Sequence, residues 1–226
     1  MITLADVHRL YRSDEVETTA LRSIEMNIEE GEFVAIMGPS GCGKSTLLNI
    51  LGTIDRPTSG RYLFRGQEIS QQSERDLARL RRDNLGFVFQ SFNLIDELTI
   101  AENVELGVVY RKWAGKDRRE KVEAAMDRVG IAHRARHYPH QLSGGQQQRA
   151  AIARAIVGQP SLILADEPTG NLDTENGAQV MDILQGLNTD GATIVMVTHS
   201  PSHADHARRR IDMLDGRIVL SAARAI

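Results

Sequence analysis

The run GPSGCGKST, residues 38 to 46, sets glycines, a lysine and three hydroxyls between an apolar stretch and a helix-favouring one. Gly38, Gly41 and Gly43 permit a loop whose backbone amides turn inward around phosphate, with Pro39, Ser40 and Cys42 filling the turns. Lys44 then reaches the outer phosphates. The hydroxyl of Ser45, followed by Thr46, is placed to ligate Mg²⁺. A second run, HQLSGGQQQRAAIARAI (140–156), puts a glycine pair against the start of an Ala-rich helix. Free amides and the positive end of a helix dipole favour an anion there too. The chain therefore carries two phosphate seats, only one of which has a lysine.

Other residues could complete such a site. LILADE (162–167) is an apolar strand that ends in two carboxylates. Paired acids repel unless something uses or solvates them. Asp166 suits a Mg²⁺ partner through water, and Glu167 suits a group that orients or deprotonates attacking water. VMVTHS (195–200) ends the next apolar strand in His199, a candidate γ-phosphate contact. Gln90 closes the strand LGFVFQ, where it would meet Mg²⁺ or the attacking water. Tyr11 is either a half-buried strand tyrosine or a face on which a base could stack. His199, His203 and His206 have a spacing that suggests a metal site, but Pro201 interrupts the helix that spacing would need. Arg208 to Arg210 read as an exposed charge run.

These groups need elements to hold them. EFVAIMG (32–38), LGFVFQ (85–90), SLILADE (161–167) and ATIVMVTH (192–199) are short apolar runs of the buried-strand kind. A strand-then-helix rhythm predicts an α/β sheet with chemistry at the carboxyl ends of its strands. MITLADVHRLYR and SGRYLFRGQEI (59–69) predict a separate, more antiparallel layer. IAENVELGVVYRKW, KDRREKVEAAMDRVGI and GQQQRAAIARAIV predict helices between about 92 and 158.

Composition narrows the partners. The 226 residues carry 27 Lys and Arg against 30 Asp and Glu, a net charge of −3. That balance argues against nucleic acid as the main partner. The single cysteine, Cys42, permits no intrachain disulfide, which fits a reducing, cytoplasmic compartment. No signal-like or membrane-spanning apolar run is visible, so a membrane role would come through another polypeptide.

The phosphate loop, Gln90, LSGGQ (142–146), LILADE, GNLD (170–173) and His199 occur in an order that resembles the nucleotide-binding subunit of ABC transporters. LGTIDRPTSG, FVFQSFNLIDELT, HYPHQLSGGQQQR and ADEPTGNLD are similar to its macrolide-export and lipoprotein-release branch. The resemblance implies a P-loop NTPase core of α/β class with an antiparallel β layer and an inserted helical subdomain. One domain would span 1–226, with 1–91 and 159–226 as catalytic core and 92–158 as helical subdomain.

The resemblance also implies an ATPase that uses ATP and Mg²⁺ and forms a head-to-tail homodimer around two ATP. Ser143, Gly144 and Gly145, with Gln146, would close over ATP held by the partner copy, and Asp173 would lie across the same interface. Tyr11 becomes the adenine-stacking residue, Gln90 the coupling glutamine and Glu167 the catalytic carboxylate. The region after Gln90 would receive a membrane permease with a large extracytoplasmic domain. The chain would then sit at the inner face of the cell membrane and drive export or lipoprotein release.

Two positions depart from that branch. Cys42 replaces a commoner serine, its thiol facing either the phosphate or the core. Gly107-Val108 replaces a Pro-Leu pair near the permease-docking region. A chromosome-maintenance ATPase shares the motifs, but it needs a long coiled coil between Lys44 and Asp166, and no sustained heptads occur there. A nucleotide sensor without turnover would not need both Glu167 and His199.

Overall fold

A computed structural model describes residues 1–12 and 17–223 of the chain, which form two compact units. Of the described residues, the first unit comprises 1–12, 17–79 and 193–223, and the second comprises 80–192. Both are α/β.

In the first unit, β1 (Ile2–Arg12) pairs antiparallel with β2 (Glu17–Ile28) and β4 (Ser59–Phe64), and β4 pairs with β5 (Gln67–Glu68). The antiparallel layer expected from MITLADVHRLYR and SGRYLFRGQEI is therefore present. A register shift between Leu4 and Val7 brackets Asp6, whose φ of 49° marks a bulge. Alongside, β3 (Phe33–Met37) lies parallel to β8 (Thr193–Val197) and to β9 (Arg209–Leu214), with β10 (Arg217–Ala223) antiparallel on β9. Every residue of β3 and β8 is buried. A parallel strand covered on both faces accepts such an unbroken apolar run. Helix α1 (Lys44–Leu51) follows β3, and the short α7 (Pro201–Ala204) follows β8.

Helix α2 (Glu74–Asn84) leads into the second unit. There β6 (Leu85–Phe89) runs parallel to β7 (Leu162–Asp166), with Phe89 opposite Asp166. Between them lie α3 (Ile100–Glu105), a 3₁₀ turn over 106–108, α4 (Gly115–Arg128) and α5 (Gly144–Ile156). After β7 comes α6 (Thr174–Thr189). Helix α3 begins at a capping box, in which Thr99 accepts from Glu102 N–H and the Glu102 carboxylate accepts from Thr99. The expected helix IAENVELGVVYRKW stops early at Glu105, tightens into the 3₁₀ turn through Gly107, and leaves 109–113 irregular. No helix among the described residues is long and apolar enough to cross a membrane.

Candidate active site

In the first unit the backbone bonds pair Ile36 with Val197, so the loop after β3 and His199 after β8 leave the same end of adjacent strands. Thr198 N–H donates to Ile36 O at 3.1 Å and fixes that exit. Gly43 is the N-cap of α1 with φ 102°, and a Cβ there would stand 2.5 Å from the carbonyl of Ala20. Only glycine fits both demands. No side chain caps α1, and its first turn contains no acidic residue. Its amides and positive dipole end are thus left for an external anion.

Lys44 is 6% exposed, and its ammonium donates to the carbonyls of Gly38 and Pro39, each at 2.9 Å. The cation lies inside the curl of the loop, held by neutral acceptors that a phosphate could replace with stronger, charged ones. Ser45 is exposed on the first turn, and Thr46 is half-buried. Pro39, Ser40 and Gly41 are exposed at the rim. Of the two orientations open for Cys42, the structure takes the inward one. The residue is 4% exposed, its Sγ lies 3.9 Å from Lys44 Nζ, and its carbonyl accepts from Gly216 N–H.

Tyr11 is exposed at the end of β1, with its hydroxyl donating to Asp55 at 2.7 Å. The Arg9 guanidinium lies 4.3 Å from the ring centroid and donates to the same carboxylate oxygen. Tyr11 itself is 40% exposed. The exposed-run reading of Arg208 to Arg210 fails at Arg209. Strand alternation turns Arg209 inward, where it pairs with Glu32 at 2.9 Å. Pro201 does not interrupt a helix but starts one, behind a Ser200 cap that accepts from His203 N–H. His199 therefore precedes α7, off the spacing a helical metal face requires.

In the second unit the Phe89–Asp166 pairing brings Gln90 and the pair Asp166–Glu167 to one end of two neighbouring strands. Asp166 and Glu167 are half-buried there. Glu167 has φ 49°, a left-handed backbone that costs a non-glycine residue on the order of 1 kcal/mol or more. Its carbonyl accepts from Gly170 N–H, which closes the turn into residues 170–173.

The second glycine pair opens α5. Ser143 is its N-cap: its hydroxyl accepts from Gln146 N–H at 3.3 Å, while Gln146 Oε1 accepts from Ser143 N–H at 3.1 Å. Gln146 is thus spent on the cap of its own helix. The first turn again carries no acidic residue. Gly145 lies so close to Asn176 that a Cβ would collide with that side chain. Asn176 in turn donates to Asp173, the N-cap of α6. Those bonds, first from the Asn176 backbone amide and then from its side chain, hold the Asp173 carboxyl below its ordinary pKa.

Sequence reasoning passed over Gln148, Asn171 and Arg154. Gln148 is fully buried and donates to Phe89 O at 3.3 Å and Pro168 O at 2.5 Å, strapping the ends of β6 and β7 together. Arg154, on the same helix, donates to the carbonyls of Phe92 and Asn93, both of positive φ. The sequence signal for Gln148 was a polar residue inside the buried stripe of an amphipathic helix. Asn171 carried none beyond its place beside Asp173.

Comparison with known proteins agrees with this geometry. Residues 21–170 match the family model described as ABC transporter. An uncharacterised ABC transporter ATP-binding protein of Methanocaldococcus jannaschii is 51% identical over 219 residues, covering 97% of this chain and 98% of that protein. A macrolide export ATP-binding/permease protein, MacB of Hyphomonas neptunium, is 48% identical over 97% of this chain, which spans only 34% of that protein. Among solved structures, the dimeric post-hydrolysis state of the ATP-binding cassette MJ0796, bound to ADP and Pi, superposes with a TM-score of 0.92. The two are 43% identical with full coverage of both chains. With its phosphate loop, acidic strand and second glycine seat in place, the chain belongs to the ABC transporter family as an ATP-binding, ATP-hydrolysing cassette.

Proposed function

We propose that two copies of this chain close head to tail around two ATP and drive a membrane permease, each ATP lying between the Lys44 loop of one copy and the Ser143 seat of the other. The observation that carries it is the pair of helix N-termini free of acidic first-turn residues, one with a buried lysine and one without. A seat lacking its own cation fits a phosphate already held elsewhere. The MJ0796 cassette, solved as a dimer, supports the assembly.

Within that dimer, bound MgATP supplies the electrophilic phosphorus and the cation that offsets its charge. Lys44 and the backbone N–H groups of residues 40–46, in the loop opened by Gly38 and Pro39, hold the phosphates, and the Tyr11 ring takes the adenine. Ser45 and Gln90 offer hard oxygen donors to Mg²⁺, and Asp166 acts on it through water, the donor chemistry that cation prefers. Glu167 orients the attacking water and accepts its proton, while His199 donates to the γ-phosphate. The Ser143 hydroxyl and the amides of Gly144 and Gly145 donate from the partner copy, and Asp173 lies across the interface. Residues 1–91 and 159–226 serve as catalytic core and 92–158 as the helical subdomain.

The permease would dock beside β6, where Arg82, Phe87, Phe89, Arg111 and Arg154 line a cleft of about 320 Å³. The macrolide-export relative, an ATP-binding/permease protein by name, favours export, and the motif resemblance extends the reading to lipoprotein release through a permease with a large extracytoplasmic domain. Docking there would place the chain on the inner face of the membrane. Size-exclusion chromatography of Glu167→Gln with ATP and Mg²⁺ tests the assembly: a dimer is expected, and a chain that stays monomeric contradicts it.

A further inference from the structure

Gln90 is held by two hydrogen bonds that no catalytic role requires. Its Nε2 donates to Asn171 Oδ1 at 3.1 Å, and Asn171 Nδ2 donates back to the Gln90 carbonyl at 3.1 Å. The neighbouring residue makes room for this. A Cβ on Gly170 would stand 2.7 Å from Gln90 Nε2 and 3.0 Å from Cδ, so bare backbone forms the floor under the carboxamide. We propose that Asn171 is a positioning residue that latches Gln90 against residues 170–171, and that Gln90 becomes available to Mg²⁺ or to the attacking water only when the latch opens. The inference rests on the proposed role of Gln90.

The latch sits on the segment that links Glu167 to the second glycine seat. Gly170 N–H bonds to Glu167 O at 3.0 Å, and Leu172 N–H to Thr169 O at 3.1 Å, so residues 167–172 form one tight turn. Leu172 Cδ2 lies within 3.4 Å of where a Cβ on Gly144 would stand, at the mouth of the second glycine seat. Asp173 and Asn176 continue from it to Gly145. Any pull on Asp173 during dimer closure would therefore reach Asn171 within two residues and loosen its grip on Gln90. Closure and Gln90 release become one event. Until then, only a fraction of chains offers the carboxamide, which lowers apparent affinity by that fraction.

Both partners are exposed, so the one neutral hydrogen bond to the carboxamide, from an Asn171 tied back to the Gln90 carbonyl, sets a latch of roughly three- to tenfold. The test uses the full chain and the analogue AMP-PNP, titrated by calorimetry with Mg²⁺ and with EDTA. Asn171→Ala should tighten binding about three- to tenfold with Mg²⁺, leave binding in EDTA unchanged, and lose that gain entirely in the Gln90→Ala background. Unchanged or weaker Mg²⁺-dependent binding in Asn171→Ala, where Gln90→Ala itself weakens it, overturns the latch and leaves the role of Gln90 standing. If Gln90→Ala has no effect, the role of Gln90 falls instead. The latch is then decided by the Gln90 side-chain amide signals in NMR of the nucleotide-free chain, assigned by their absence in Gln90→Ala. A shift toward solvent-exposed values in Asn171→Ala supports it, and signals that do not move overturn it.

Discussion

Glu167 sits at a left-handed backbone position directly after a buried strand, and its carbonyl anchors the turn that follows. Such strain persists only where neighbouring structure over-determines it. Glu167→Gln keeps the shape and removes the proposed base, so steady-state hydrolysis should fall roughly 10²–10⁴-fold with ATP binding retained. A phosphate-release assay beside an ATP titration checks this; near-normal turnover would remove Glu167 from the chemistry. Cys42 gives a second test at this scale. Its thiol lies under the loop, so a bulky maleimide should label the native chain at least about tenfold more slowly than the urea-unfolded chain. Equal rates would place the thiol outside. The glycine and lysine spacing made the loop legible in the sequence because it dictates a backbone path. The side-chain direction of Cys42 was not legible, since a small residue in a tight loop can face either way.

Among the elements, β3, β7 and β8 were legible because parallel strands covered on both faces read as short unbroken apolar runs, and β6 showed the same kind of run although its burial alternates. Helix α2 left no such trace. Leu77 is its only buried residue, so no apolar stripe exists to read. The end of α3 was misjudged because apolar residues continue past Gly107, while what shapes the chain there is Arg111. Its guanidinium donates to the carbonyl of Arg82 at 2.7 Å and lies 5.0 Å from the Trp113 ring centroid. Burial among these groups lowers the Arg111 pKa, the cost of keeping a cation at the cleft. Neither Arg111 nor Arg154 has a carboxylate hydrogen-bonded to it among the described residues, so the cleft favours an acidic or helix-C-terminal segment of the permease. Arg111→Glu should cut copurification of the native permease about tenfold while ATP affinity stays constant. Unchanged capture would move the docking surface away from β6.

At the scale of the whole molecule, 30 acidic against 27 basic residues suit a chain whose anionic ligand is met at two local seats, not across a basic face. Sequence order placed those seats in separate runs, and they fall in different compact units: the Lys44 loop belongs to the first and Ser143 to the second. Spacing could not say whether one chain or two brings them to a single nucleotide, because spacing carries no information about a partner copy. That question has a direct measurement, the ATP affinity of the isolated Ser143→Arg chain compared with that of Lys44→Ala. With ATP held by the Lys44 loop alone, Ser143→Arg should bind ATP within about twofold of the unaltered chain yet hydrolyse none, whereas Lys44→Ala should lose binding by about a hundredfold or more, as when a charged partner leaves a phosphate uncompensated. If Ser143→Arg instead loses affinity as severely as Lys44→Ala, both seats serve one nucleotide within one chain and the head-to-tail assembly is contradicted.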